Sequence, residues 1–392
     1  MRFHEPARRA ADHIAQQLHA PPPTGVYTPS LTGDGAAGVA LLHIERALAD
    51  GGWAPAHHWL TAAVGNGLAI RTGSGLYHGV AAIAFALHPT SAHPGYAAAR
   101  ATCDSAVQTI TRRKLHQARH RLSSGQRPDV GEYDLISGLT GLGAHLRRHD
   151  PTGDLIEDVL TYLVLLTQPV NGLPGWWTEA TPGRAEGHPP GGHANHGIAH
   201  GITGVLALLS LALRDGLTVP GQCEAIETIC AWLDTWQQDH HGHPWWPETV
   251  SLDDIRRGQP TQHRPPRPSW CYGTPGISRA MQLAALATGD LARAVLAESA
   301  VIGCLTDPRQ IGLIIDRGLC HGAAGLHMTV ASIAADTPTP LPDTANLLLR
   351  QRAHPAEPTG FLTGSAGHAL ALHALSACKP PTTTWDTAML LR

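Results

Sequence analysis

The chain has 392 residues, room for one large domain or two ordinary ones. Hydrophobic residues make up 43% and charged residues 15%, the composition of a globular protein with ample apolar material for a core. With a net charge of −3 and no basic stripe, nucleic acid is not an expected partner.

Residues 1–18 carry Arg2, Arg8 and Arg9 with no apolar stretch behind them, so a secretory signal is not expected. Ile14 and Leu18 there have the spacing of a helix with one wet face. From residue 34 onward a short pattern recurs: Gly-x-x-Gly after a small or polar residue, then an apolar helical run. It reads DGAAGVALL at 34–42, HGVAAIAFAL at 78–87 (Ala82 replacing the second glycine), SGLTGLGAHL at 137–146 and HGITGVLALL at 200–209. It continues as YGTPGISRAM at 272–281, HGAAGLHMTV at 321–330 and TGSAGHALAL at 363–372. Helices that are apolar nearly all round are buried on most sides. Between the copies lie amphipathic segments, among them Leu155, Val159, Tyr162, Leu163 and Leu166, and later Ile226, Ile229, Trp232, Leu233 and Trp236. Apolar inner and amphipathic outer helices thus alternate, seven of each. That pattern predicts an all-α fold, an α/α toroid or double-layer barrel of seven helical hairpins, spanning 1–392 as a single domain. Closure of the ring leaves no end repeat uncapped.

Glycine at each inner-helix start allows a tight turn and close backbone approach, and leaves free N–H groups on one rim. The longest irregular stretches, 172–201 and 258–268, are rich in Pro and Gly, and loops of that length are usually functional or disordered. No stretch reaches the roughly 18 apolar residues of a membrane span. Seven cysteines, an odd number without a C-x-x-C pair, point to a reducing, cytoplasmic setting.

Ahead of the glycines most copies carry bland residues: Asp34, Ser137, Thr363. The fourth carries His200, the fifth Cys271-Tyr272 and the sixth Cys320-His321. In a closed ring these copies are neighbours. Two thiolates and one imidazole then match a zinc site with three protein ligands and an open fourth position. The competing reading makes Cys271 and Cys320 small core residues, though both occupy one slot of consecutive repeats. Cys103, Cys223, Cys230, Cys304 and Cys378 fall in predicted helices and read as core. His240, His241 and His243 beside Trp245 and Trp246 read as a solvated loop.

The motifs NHGIAHGITG (195–204), SWCYGTPG (269–276) and LCHGAAGL (319–326), set among these repeats, resemble the lanthionine synthetase C-like family of lanthipeptide cyclases. The resemblance runs from SLTGDGAAG to FLTGSAGHA. It implies an α/α toroid with one catalytic zinc. The implied reaction adds a peptide cysteine thiol to a dehydroalanine or dehydrobutyrine of the same peptide. By the same resemblance Cys271, Cys320 and His321 are the zinc ligands, and His200 is the catalytic histidine. Tyr272, Arg267 and Asp134 match other active-site positions. Thr203 stands where the family often has proline, a change in turn stiffness only. The expected partners are a dehydrated precursor peptide, leader plus core, and a separate dehydratase.

Two alternatives remain at this level. One is a transferase adding glutathione to dehydroamino acids. The other is a noncatalytic, zinc-containing peptide-binding scaffold, favoured if a fourth protein ligand came from 191–196. Glycoside hydrolysis needs two facing carboxylates, and the glycine slots offer only Asp34 and Asp134, in non-adjacent copies.

Overall fold

The computed structural model describes residues 4–23, 25, 27–65, 67, 74–91, 93–179 and 189–392. Arg2 and residues 180–188 of the 172–201 stretch lie outside the described residues.

The first helices in chain order are α1 (His4–Gln17), α2 (Ala36–Asp50), α3 (Ala54–Val64), α4 (Val80–Leu87), α5 (Ala97–Ser123) and α6 (Val130–Tyr133). There follow α7 (Leu139–His149), α8 (Asp154–Leu166), α9 (Ile202–Arg214), α10 (Gln222–Trp236), α11 (Leu252–Arg257) and α12 (Thr274–Thr288). The chain ends with α13 (Leu291–Thr306), α14 (Pro308–Ile311), α15 (Ala323–Ala335), α16 (Ala345–Arg350) and α17 (Ser365–Ala377). Each of the seven glycine motifs opens a helix: α2, α4, α7, α9, α12, α15 and α17.

Side-chain burial separates the two helix types. All eight residues of α4 and every residue of α9 from Ile202 to Ala212 are buried. Each leucine removed from water in this way contributes roughly 1.5–3 kcal/mol. The intervening helices bury one stripe. In α10 this is Ala225, Ile226, Ile229, Cys230, Leu233 and Trp236, and in α8 it includes Leu155, Val159, Tyr162, Leu163 and Leu166.

The chain divides into two compact units, one of residues 1–110, 314–331 and 343–391, the other of 111–313, 332–342 and 392. In the first, α1 packs on α17, α17 on α2, and α2 on α3 and α4. In the second, α7 packs on α8 and α9, α9 on α10 and α12, and α12 on α13.

The paired glycines answer a steric demand more than a conformational one. Gly201, Gly273 and Gly364 have φ of −124°, −85° and −119°, which any residue can adopt. A Cβ on Gly276, however, would lie 1.9 Å from the Trp270 carbonyl oxygen, and one on Gly367 would lie 1.9 Å from that of Phe361. The same carbonyl-over-glycine contact recurs at Gly204 with Ile198 (2.5 Å) and at Gly325 with Leu319 (1.9 Å). The segment before α9, α12, α15 and α17 therefore folds back across the first helical turn, and there only glycine leaves room for it.

Those segments also hydrogen-bond side by side. In the first unit Leu31 N–H donates to Tyr77 O (3.0 Å), Leu362 N–H to Leu31 O (2.8 Å) and Cys320 N–H to Leu362 O (2.8 Å). In the second, Leu135 N–H donates to Ala199 O (3.1 Å) and Ala199 N–H to Cys271 O (3.4 Å). Within each unit this backbone ladder sets the residues just ahead of the glycines side by side.

Three sequence-based expectations need correction. The stretch 172–201 is not wholly irregular, because β1 (His193–Asn195) pairs antiparallel with β4 (Thr249–Ser251) in the register Ala194↔Val250. The histidine cluster at 240–243 is not a solvated loop: β2 (Gln238–His240) and β3 (His243–Trp245) form a hairpin. There Trp245 and Trp246 are buried, and His243 Nδ1 hydrogen-bonds Ser299 O at 3.0 Å. Finally, Cys103, Cys230 and Cys304 are core residues, but Cys223 and Cys378 are exposed, at the first turn of α10 and just past the end of α17. Among the described residues, no helix is long and apolar enough to cross a membrane.

Candidate metal centre and acid–base pair

Cys271 stands two residues before Gly273, where the chain turns from an extended segment into α12. Buried Trp270 fixes the turn, and Ser269 Oγ accepts the Tyr272 N–H at 3.4 Å and lies 3.6 Å from Cys271 Sγ. Arg267, six residues before Gly273, is half-buried on the same approach, and its carbonyl oxygen occupies the space a Cβ on Gly273 would need.

The turn carrying His200 lies against this one. A Cβ on Gly197 would fall 2.6 Å from Cys271 O and 2.8 Å from the Tyr272 ring. The His200 and Tyr272 ring centres are 6.2 Å apart. His200 Nδ1 sits 2.6 Å from Asp134 Oδ2. A carboxylate can only accept, so Nδ1 carries the proton and Nε2 is the nitrogen left to work. Asp134 is 2% exposed, and its Oδ1 also accepts the N–H groups of Ser137 (2.8 Å) and Gly138 (2.7 Å). It therefore caps its own turn and holds the imidazole at once. Burial pushes the Tyr272 phenol up to about 12, against the opposing hydrogen bond from Asn195, so at neutral pH it is an intact hydroxyl. Asn195 Nδ2 donates to that oxygen at 3.1 Å, leaving the phenolic proton to point elsewhere.

Cys320 and His321 stand at the turn into α15. The Cys320 backbone is anchored on Leu362, and His321 Nε2 lies 3.6 Å from Asp316 Oδ2. The Sγ atoms of Cys271 and Cys320 and a ring nitrogen of His321 all fall within 4.8 Å of one another. Two soft thiol donors and an imidazole so gathered are a donor set that can hold a metal ion. Among the described residues no fourth His, Cys, Asp or Glu joins the group. His196, a residue of the 191–196 segment, is committed elsewhere: its Nδ1 donates to Pro247 O (2.8 Å) and its Nε2 accepts the Trp232 N–H (2.8 Å).

A sequence profile of the family described as lanthionine synthetase C-like protein matches residues 28–390. The chain belongs to this family. Over 269 residues it is 27% identical to nisin biosynthesis protein NisC of Lactococcus lactis subsp. lactis. That match covers 66% of this chain and 61% of NisC, so it spans less than two thirds of the relative. A solved structure of nisin cyclase superposes with a TM-score of 0.81 at 23% identity, covering 98% of this chain and 97% of that one. The shared fold is the α/α toroid that the repeats predict.

Reading the sequence alone missed Asn195, Asp316 and the anchoring role of His196. A signal for the first two was present. Asn195, Arg267 and Asp316 each stand six residues before the first glycine of their motif, at Gly201, Gly273 and Gly322. The backbone of all three lies against that glycine.

Proposed function

We propose that the protein is a zinc-dependent lanthipeptide cyclase, acting on a precursor peptide already dehydrated by a separate enzyme in the cytoplasm. The observation that carries this reading is the gathering of Cys271, Cys320 and His321, with a Tyr272–His200–Asp134 arrangement built against the Cys271 turn. Zinc held by these three residues would supply a positive charge that keeps a peptide cysteine as its thiolate at neutral pH.

In the reaction the substrate sulfur forms a bond to the β-carbon of a dehydroalanine or dehydrobutyrine. The Cα=Cβ π pair moves onto the α-carbon and its carbonyl, and a proton is then delivered to the α-carbon. Nothing leaves, and the thiol proton balances the one delivered. His200 supplies that proton from Nε2, and Asp134 holds the opposite nitrogen and stabilises the cationic form. The Tyr272 hydroxyl, still protonated and held by Asn195, is suited to donate to the enolate oxygen. Arg267, on the approach to Cys271, positions the peptide backbone. A structural zinc normally takes four protein ligands, and a set of three leaves one position for substrate.

The test is metal content beside cyclisation, measured on the full chain and on Cys271→Ala. One zinc per chain, absent from the variant together with thioether formation, supports the reading. No zinc in either protein overturns it. Faster addition of free glutathione than of a peptide thiol would assign a different substrate to the same chemistry.

A further inference from the structure

Resting on that metal-site reading, we infer that Asp316 is a positioning residue that orients His321 for the metal and raises the affinity of the whole donor set. Metal-bound histidines hold their ring through the nitrogen that does not bind the ion, most often by a carboxylate, and this sets both tautomer and ring direction. Asp316 is the carboxylate placed to do this. Its Oδ2 lies 3.6 Å from His321 Nε2, at ion-pair distance, which would leave Nδ1 for the metal.

The carboxylate is itself fixed. Its Oδ1 accepts the Gly318 N–H at 3.1 Å, and the Asp316 carbonyl accepts the Ala323 N–H at 3.0 Å in the first turn of α15. The approach is close enough that a Cβ on Gly322 would stand 2.2 Å from Oδ1. Glycine at 322 thus serves the carboxylate as well as the turn. The two side chains border a cavity of about 230 Å³ with Arg317, His354, Glu357 and Thr363. Arg317 is ion-paired with Glu357 there, so the cavity wall already has its own charge balance. Asp316 occupies the same place relative to its glycine as Asn195 does in the fourth motif, and Asn195 holds Tyr272 by a hydrogen bond. In both motifs, then, a residue six before the glycine steadies a side chain at the site.

Two variants separate orientation from folding. Asp316→Asn keeps an amide oxygen for Gly318 but removes the charge facing His321, whereas Asp316→Ala removes both. The measurements are zinc dissociation by competition with a chromogenic chelator, thermal unfolding of the metal-free proteins, and the visible spectrum of the cobalt-loaded ones. The expected result is a zinc affinity weaker by about 10- to 100-fold in both variants. Only Asp316→Ala should show a lower metal-free melting temperature, and the cobalt bands should shift in both. Wild-type zinc affinity in Asp316→Asn overturns the inference, as does a loss of affinity in Asp316→Asn accompanied by a lower metal-free melting temperature. A wild-type protein that binds no zinc instead overturns the metal-site reading itself.

Discussion

Replacing Asp134 by asparagine tests the proposed acid–base pair at its most exposed joint. The carboxylate takes three donors, His200 Nδ1 at 2.6 Å, Ser137 N at 2.8 Å and Gly138 N at 2.7 Å. In the variant the amide oxygen can keep the two backbone N–H groups, which preserves the turn, and the amide NH₂ then faces the imidazole. A donor there forces Nδ1 to become an acceptor and withdraws support from the cation that must give up the Nε2 proton. A hydrogen bond to a charged group is worth about 1.5–3 kcal/mol. At 1.36 kcal/mol per decade this is a fall in kcat of roughly 10- to 150-fold. Removing the acid itself, in His200→Ala, should cost about 10²- to 10⁴-fold. Because the two groups act as one unit, the double variant should be no slower than His200→Ala. The assay is loss of free thiols from a dehydrated peptide, read by alkylation and mass spectrometry, with zinc content measured on the same samples. An Asp134→Asn enzyme within twofold of wild type, or a double variant slowed by the product of the two single effects, would refute the pairing.

Other expectations follow from the packing. Gly276→Ala should destabilise the protein by about 3 kcal/mol or more, since the new methyl meets a backbone oxygen and not a side chain that can move; chemical denaturation reads this directly. Thr203→Pro should leave stability within about 1 kcal/mol, because the first turn of a helix tolerates proline and Pro275 already fills that place in α12. The hydrogen bond lost is the one from Thr203 Oγ1 to His196 O. Burial lowers His43 and His196 from 6.5 to about 4. Between those limits the unfolded chain binds protons that the folded one refuses, so stability falls as pH drops from about 6.5 to 4. The slope is about 1.4 kcal/mol per pH unit for each histidine, and stability is independent of these groups above that window. Melting temperatures taken across the range check this, and a flat profile below pH 6 would contradict it.

The helices were legible because burial imposes their pattern: Val80 to Leu87 or Ile202 to Ala212 can be apolar on every side only where no face meets water. The metal-ligating candidates were legible for a different reason. Cys271 and Cys320 share one slot relative to their glycines, and in each unit a backbone ladder holds the segment that carries it. What escaped was anything set by side chains meeting across motifs. Nothing along the sequence pairs Asn195 with Tyr272 or His196 with Trp232, because those contacts depend on how separate turns lie against each other. The histidine-rich hairpin escaped because three-residue strands are too short for a period-two pattern to register.

The same ladder separates the requirements of folding from those of chemistry. At the slot two residues before the glycine, Tyr77 and Leu362 perform the backbone exchange as well as Cys320 does, with no donor side chain suited to a metal. The carbonyl-over-glycine contact likewise forms at Leu319 and Phe361 whatever the neighbouring motif carries. The turn geometry therefore belongs to the repeat, and the thiols are carried on it without being needed to make it. Cys271→Ala and Cys320→Ala should accordingly lose metal while the metal-free proteins melt close to the metal-free wild type. Zinc should then raise the melting temperature of the wild type alone, since an ion bound only by the folded chain adds its binding free energy to stability. A cysteine variant whose metal-free form unfolds far below the metal-free parent would show that the thiols help to build the turn and that folding and metal binding are not separable there.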